Sequence, residues 1–149
     1  MVPVETTAQM HAALKEHFDQ CNILIMSAAV ADARPIEVSE NKIKKNALLS
    51  IELQLNPDLL ADLASTKADQ VMVGFAAETR DHLQEARRKL EAKGLDVIYV
   101  NDVSGGAIFG QDTTMGTILV RNEADIAVKE VSKDALSNTL LDHAIRQLG

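Results

Sequence analysis

Aromatic side chains are almost missing from this chain. Its 149 residues include three Phe, one Tyr and no Trp. Aliphatic side chains must therefore build the core, and an aromatic residue at the end of a strand stands out. Cysteine is represented by Cys21 alone, which excludes an intrachain disulfide and falls short of a structural zinc site. No run approaches the roughly 18 consecutive apolar residues of a membrane-spanning helix. The opening MVPVETTAQM has neither the basic segment nor the apolar stretch of a secretory signal. A cytoplasmic protein that does not bind membranes is the expectation. Positive charge is also in deficit. Fifteen Lys and Arg face 22 Asp and Glu for a net charge of −7, the wrong sign for a general binder of nucleic acid. The seven glycines form neither G-x-G-x-x-G nor a Walker sequence, and nothing resembles a nucleophile elbow. His11, His17, His82 and His143 lack metal-ligand spacing and are expected at the surfaces of helices.

What is present is an alternation of two hydrophobic periods. Met10, Leu14 and Phe18 recur every four residues, and Thr6 with Gln9 forms a capping-box pattern, which predicts a helix over Thr7 to Phe18. The run Asn22-Ile-Leu-Ile-Met-Ser27 reads as a strand covered on both faces. About twenty residues without clear periodicity follow, from Ala28 to Ala47. A connection of that length inside a compact domain is usually functional or a sign that an element has been misassigned, and the functional reading is taken. Leu48 to Leu55 alternates and reads as a second strand, with Asn56-Pro57 opening a helix striped by Leu59, Leu60 and Leu63. Val71 to Phe75 and Asp96 to Val100 read as buried strands. Between them a helix over Arg80 to Lys93 is capped by Thr79, striped by Leu83, Ala86 and Leu90, and ended at Gly94. Thr117 to Val120 and Ile126 to Val128 form a hairpin, and Ser132 caps a last helix carrying Leu136, Leu140, Ala144 and Leu148. The pattern predicts a single α/β domain with a doubly wound, mainly parallel, Rossmann-like sheet, a C-terminal β-hairpin and a helix.

In such sheets ligands collect beyond the carboxyl ends of the strands, where this sequence places polar and small residues. Met26-Ser27-Ala28-Ala29 lets a ligand approach the backbone, and Asp32 can accept ribose hydroxyls or hold a divalent cation. A tight turn with a solvated carboxylate explains the same residues. Lys42, Lys44 and Lys45 cluster in the long connection, as triphosphate recognition or a solvated surface would have it. Lys89 and Lys93 lie one helical turn apart and can reach one ligand; the plain alternative is a Glu85–Lys89 surface pair. Asn56-Pro57-Asp58 is either a hydrogen-bonding edge or an ordinary cap, and Phe75 either covers a nucleobase or fills the core. Cys21 has no candidate base nearby and reads as an inert thiol.

Five segments, in order, carry a resemblance: Met-Ser-Ala-Ala-Val-Ala-Asp-Ala-Arg-Pro (26–35), Lys-Ile-Lys-Lys (42–45), Asn-Pro-Asp-Leu-Leu (56–60), Val-Gly-Phe-Ala-Ala-Glu-Thr (73–79) and Asn-Asp-Val-Ser (101–104). Together they resemble the bacterial phosphopantothenoylcysteine synthetase domain over essentially the whole chain. The resemblance implies a ligase of coenzyme A biosynthesis. Its substrates would be 4′-phosphopantothenate, L-cysteine and CTP, with Mg²⁺, and the acid would be activated as an acyl-cytidylate. It implies that Met26, Ser27, Ala28 and Asp32 line the cytidine site, that Pro57, Asp58, Leu59 and Leu60 form another wall beside Phe75, and that Lys89 and Lys93 contact the nucleotide. Lys42 matches the lysine of the family's flap and would be catalytic. It also implies a homodimer, often fused to a flavin-dependent decarboxylase, with FMN belonging to that half and not to this chain.

The family's opening strand and Gly-Gly-Thr turn have no counterpart in these residues, and Ala33 stands where an aromatic is common. A partial synthetase domain is therefore expected. Two rival readings remain: a catalytically incomplete nucleotide-binding or dimerisation module of the same fold, and a nicotinamide-dependent oxidoreductase, which the missing G-x-G-x-x-G disfavours.

Overall fold

A computed structural model of the chain describes residues 1–39, 41–44, 50–78, 82–102 and 111–149. Helix α1 (Thr7–Phe18) opens with the expected capping box. The Thr6 hydroxyl accepts from the Gln9 backbone N–H at 3.2 Å, and Gln9 Oε1 accepts from the Thr6 N–H at 3.0 Å. The chain then forms β1 (Ile23–Met26), β2 (Ala33–Pro35), β3 (Leu53–Leu55), α2 (Leu59–Ala64) and β4 (Val71–Glu78). Helix α3 (His82–Ala92), β5 (Val97–Asp102), the hairpin β6 (Thr113–Val120) with β7 (Ile126–Ser132), and α4 (Lys133–Arg146) complete it. Thr79 and Arg80, the expected start of α3, lie outside the described residues. Gly94, at φ +62°, takes the left-handed conformation that ends α3.

The main sheet has the order β1-β4-β5-β6-β7. The pairs β1–β4 and β4–β5 are parallel, and the two pairs that follow are antiparallel. Alternate residues divide cleanly between its faces. Met72, Ile98, Val100 and Leu119 pack with Phe18, Leu63, Ala86 and Leu90 from the first three helices. Val71, Val73, Val97, Tyr99, Ile118 and Val120 pack under Leu136, Leu140 and Ala144 of α4. Helices thus cover both faces, as the unbroken apolar runs of β4 and β5 predict.

Several expectations are corrected. The second strand spans only Leu53–Leu55 and pairs antiparallel with β2 in a separate two-stranded ribbon. Its alternation belongs to a ribbon strand whose three residues are all exposed, not to the main sheet. Leu48 and Leu49 lie outside the described residues. Strand β1 is an edge strand and is not covered on both faces: Ile25 is 44% exposed. Asp58, not Asn56, caps α2, because its carboxylate accepts from the Ala61 N–H. Leu148 and Leu83 stay exposed at the ends of their stripes. Both hairpin strands are longer than the apolar pattern indicates. Two histidines leave the surface as well. His143, on α4, is buried, with its Nδ1 2.9 Å from Arg146. His11 is partly covered, with its Nε2 2.8 Å from Asp62 in an ion-pair contact that is not aligned as a hydrogen bond.

One charged cluster pins the amino ends of the strands, away from their carboxyl rim. Asp96 accepts from Lys67 at 2.5 and 2.6 Å and from the Met72 N–H at 2.7 Å. Arg121 lies 3.7 Å from the same carboxylate and donates to the Leu95 carbonyl at 2.5 Å. Replacing Asp96 by Ala takes this acceptor from Lys67 and the Met72 N–H and the counter-charge from Arg121 in a largely buried place, and is expected to cost about 2–4 kcal/mol. Urea denaturation measures it; a loss below about 1 kcal/mol would show that the cluster does not carry the strand ends.

Candidate functional site

Parallel pairing of β1 with β4 and of β4 with β5 puts three carboxyl ends on one rim. Met26 pairs with Gly74, and Phe75 with Tyr99. A cavity of about 340 Å³ opens there, within the range of small-molecule sites. The turn after β1, from Ala28 to Asp32, makes one wall, and residues Asn56 to Leu60 make an adjoining one. Phe75, Ala76 and Ala77 form the base, and Lys89 and Lys93 reach in from α3. Of the residues named from the sequence, Met26, Ala28, Asp32, Pro57, Asp58, Leu59, Leu60, Phe75, Lys89 and Lys93 all line this cavity. Ser27 and Lys42 do not. Ser27 is exposed beside the wall, and Lys42 and Lys44 are exposed on the segment beyond the ribbon. Lys45 and the loop from Val103 to Gly110 lie outside the described residues.

The sequence reading missed Asn56 as a tie between the walls. Its backbone N–H donates to the Asp32 carbonyl at 2.8 Å, and its side-chain amide donates to the Ala31 carbonyl at 2.8 Å. Its Oδ1 accepts from Arg34 at 2.6 Å. The only signal in the sequence was an Asn before a Pro, which capping explained equally well.

Phe75 is 39% exposed at the base of the cavity, so it is not a core side chain. Its ring meets the buried Tyr99 edge-on, at 6.3 Å between centroids. The Tyr99 hydroxyl is 2.8 Å from the Thr114 hydroxyl, and burial raises its pKa against that hydrogen bond. Glu85 takes Arg88 as its hydrogen-bond partner, at 2.5 and 2.9 Å, and the Lys89 charge that the sequence pairs with it also helps to hold its carboxyl below the ordinary value. Cys21 is partly buried, with its thiol directed at the Phe18 carbonyl and its pKa raised, chiefly by burial.

Lys93 Nζ stands 3.0 Å from Asp58 Oδ2 across the cavity. Burial alone would push the Asp58 carboxyl up. The Lys93 bond and charge, with the Ala61 and Leu60 N–H groups, outweigh that and hold it below its ordinary value. Among the described residues, no group of three or more His, Cys, Asp or Glu is placed to hold a metal. None of the described helices is long and apolar enough to cross a membrane.

Residues 1–148 match the family model described as the DNA/pantothenate metabolism flavoprotein C-terminal domain. The chain belongs to this family. Similar members of the DNA/pantothenate metabolism flavoprotein family include the coenzyme A biosynthesis bifunctional protein CoaBC of Bacillus subtilis (strain 168), 43% identical over 123 residues, which covers 81% of this chain and 30% of that protein. The CoaBC protein of Mycolicibacterium smegmatis is 38% identical over 154 residues, covering 95% of this chain and 37% of that one. A crystal structure of the C-terminal domain of CoaBC aligns with a TM-score of 0.77 at 28% identity, over 95% of this chain and 62% of the other. This family member thus spans about a third of the length of these curated relatives.

The Asp58–Lys93 contact can be tested by titration. A carboxyl whose folded pKa is depressed contributes stability above the ordinary carboxyl range and loses it as pH falls through the lowered folded value. The Asp58 carboxyl carbon, followed by NMR, is expected to titrate below the ordinary Asp range, and Lys93→Met should move that midpoint upward. An unmoved midpoint would remove Lys93 as the cause.

Proposed function

We propose that the cavity binds the cytidine nucleotide of a phosphopantothenate–cysteine ligase reaction. The supporting observation is the convergence on one rim, in a chain of this family, of an exposed aromatic ring, an exposed carboxylate and two lysines. Phe75 covers the base, Asp32 accepts from the ribose or meets a cation borne by the phosphates, and Lys89 and Lys93 neutralise the phosphates. Residues 26–28, with Ser27 flanking, and residues 57–60 enclose the nucleoside. The positive groups matter because the whole chain carries a net −7: local ammonium groups must offset an unfavourable field for an anionic ligand.

In this reading a 4′-phosphopantothenate carboxylate oxygen attacks the CTP α-phosphorus as the bond to the β-phosphoryl oxygen breaks, and pyrophosphate leaves. The cysteine amine then attacks the acyl carbon of the acyl-cytidylate, the bond to the cytidylate breaks, and CMP leaves as the amide forms and the amine gives up its proton. A carboxylate acylates poorly by itself; the nucleotidyl leaving group corrects this. The chain's own contribution is positioning and charge neutralisation. Mg²⁺ is commonly held by one or two carboxylates together with substrate phosphates. Asp32, exposed on the cavity wall, fits that donor set, whereas Asp58 is engaged by Lys93 and the helix cap. Bound there, Mg²⁺ would supply further neutralisation of the triphosphate. Lys42, standing off the cavity on the segment beyond the ribbon, acts on the acyl-cytidylate rather than on resting CTP. A cytoplasmic homodimer, alone or joined to a flavin-dependent decarboxylase, completes the proposal.

Product formation from CTP, phosphopantothenate and cysteine is expected to fall about 100-fold in Lys42→Gln, the scale of losing one preorganised donor. CTP affinity by calorimetry should stay within about threefold, because Lys42 does not line the cavity. The assay is made on this chain and on a version carrying the family's opening strand and Gly-Gly-Thr turn. Undiminished turnover would overturn the role given to Lys42. Lys42's place off the cavity also favours a second reading, a module that binds the nucleotide without turning it over. CTP binding with no product from either version would support that module.

A further inference from the structure

We infer that Asn56 and Arg34 are positioning residues that set the width of the nucleotide slot, and with it the discrimination between a pyrimidine and a larger purine nucleotide. This rests on the proposed reading of the cavity.

The two walls are separate pieces of chain. One is the turn between β1 and β2; the other lies between β3 and α2. The β2–β3 pairing joins them, and at its end Asn56 carries the join to the cavity, its backbone N–H holding the Asp32 carbonyl and its side-chain amide the Ala31 carbonyl, each at 2.8 Å. Its amide has only one orientation that satisfies its partners. The Ala31 carbonyl can only accept and the Arg34 guanidinium can only donate, so the NH₂ faces Ala31 and Oδ1 faces Arg34, at 2.6 Å. The bond from Arg34 is charge-assisted and among the stronger of its kind. Asp32 and Asp58 sit immediately beside this tie on the two walls, and both line the cavity. The distance between them is therefore set by the tie. Arg34 itself does not line the cavity, so it acts through Asn56.

Three titrations test the inference: CTP, ATP and cytidine against the whole chain, with the ligand-free melting midpoint as a control for folding. The native protein is expected to prefer CTP to ATP. Displacing reacting or contacting atoms by about 1 Å can cost up to about 100-fold, and Asn56→Ala is expected to weaken CTP binding about tenfold and to narrow the CTP-to-ATP ratio at least about threefold. Arg34→Met, an exposed change whose folding the melting midpoint checks, should weaken CTP and cytidine by the same factor, about three- to tenfold, and Arg34→Lys should restore most of it by donating to the same oxygen. A general loss of stability would not change the ratio between nucleotides. If Arg34→Met weakens CTP but not cytidine, Arg34 touches phosphate and the inference is overturned. It is overturned alone if the native chain binds CTP and the variants keep its affinity and ratio within about twofold. A native chain that binds no CTP overturns the reading of the cavity, and the inference with it.

Discussion

A parallel strand pair cannot be joined by a tight turn; the chain must leave one end of the sheet and travel back to the other before it can pair again. In this protein that constraint applies to β1, β4 and β5, and it decides where everything else lies. Each of the three strands ends on one rim, and whatever follows each strand starts from that rim. The turn holding Asp32 follows β1, while Phe75 ends near the rim on β4. The return path of α3 carries Lys89 and Lys93 back past the same opening. Side chains more than sixty positions apart become neighbours because of backbone pairing, before any of their own interactions are counted. The Asp96 cluster holds the opposite ends, so the register that aligns the rim is clamped where no ligand goes.

The charges on the rim are arranged so that one group serves two partners. Asp58 caps α2 and also contacts Lys93. Both side chains are partly exposed, so the pair itself contributes little to stability. Its consequence is geometric: it holds the ammonium group over the cavity when no anion is there. In the proposed reading an incoming phosphate competes with a carboxylate already satisfied by backbone N–H groups, and such a carboxylate gives up its lysine at a lower cost than an unsupported one would.

Much of this was legible in the residues, for identifiable reasons. Thr6 with Gln9 announced α1 because a capping box requires two specific side chains at a fixed spacing. The apolar runs of β4 and β5 announced strands buried on both faces, and the helices on either side bear that out. Other features were ambiguous in principle. Leu53 and Leu55 alternate on an exposed ribbon as they would on a half-buried sheet strand, since the period reports pleat and not location. Asn56 and Asp58 are both strong caps two residues apart, and only the path of the backbone decides between them. Ile25 looks like a core residue because the run around it does not show that β1 has one neighbour. His143 is buried because its helix stripe is wider than the leucines that define it. At the site, residue types were readable one by one, whereas the tie through Asn56 joins positions 25 residues apart and leaves no local trace.

The ribbon is the least self-sufficient part of the described structure. Three residue pairs make β2 and β3, and an isolated two-stranded hairpin is at best marginal in water. Leu53 and Leu55 are largely exposed, so apolar burial adds little. What anchors it is its root, where Asn56 and Arg34 bind the two strands to each other and to the turn after β1. The same bonds therefore join the two walls of the cavity and hold the base of the segment that leads to Lys42. A ligand that binds only when the walls are correctly spaced must stabilise that root by its own binding free energy. In the proposed reading, order in the ribbon and occupancy of the cavity are then linked in both directions.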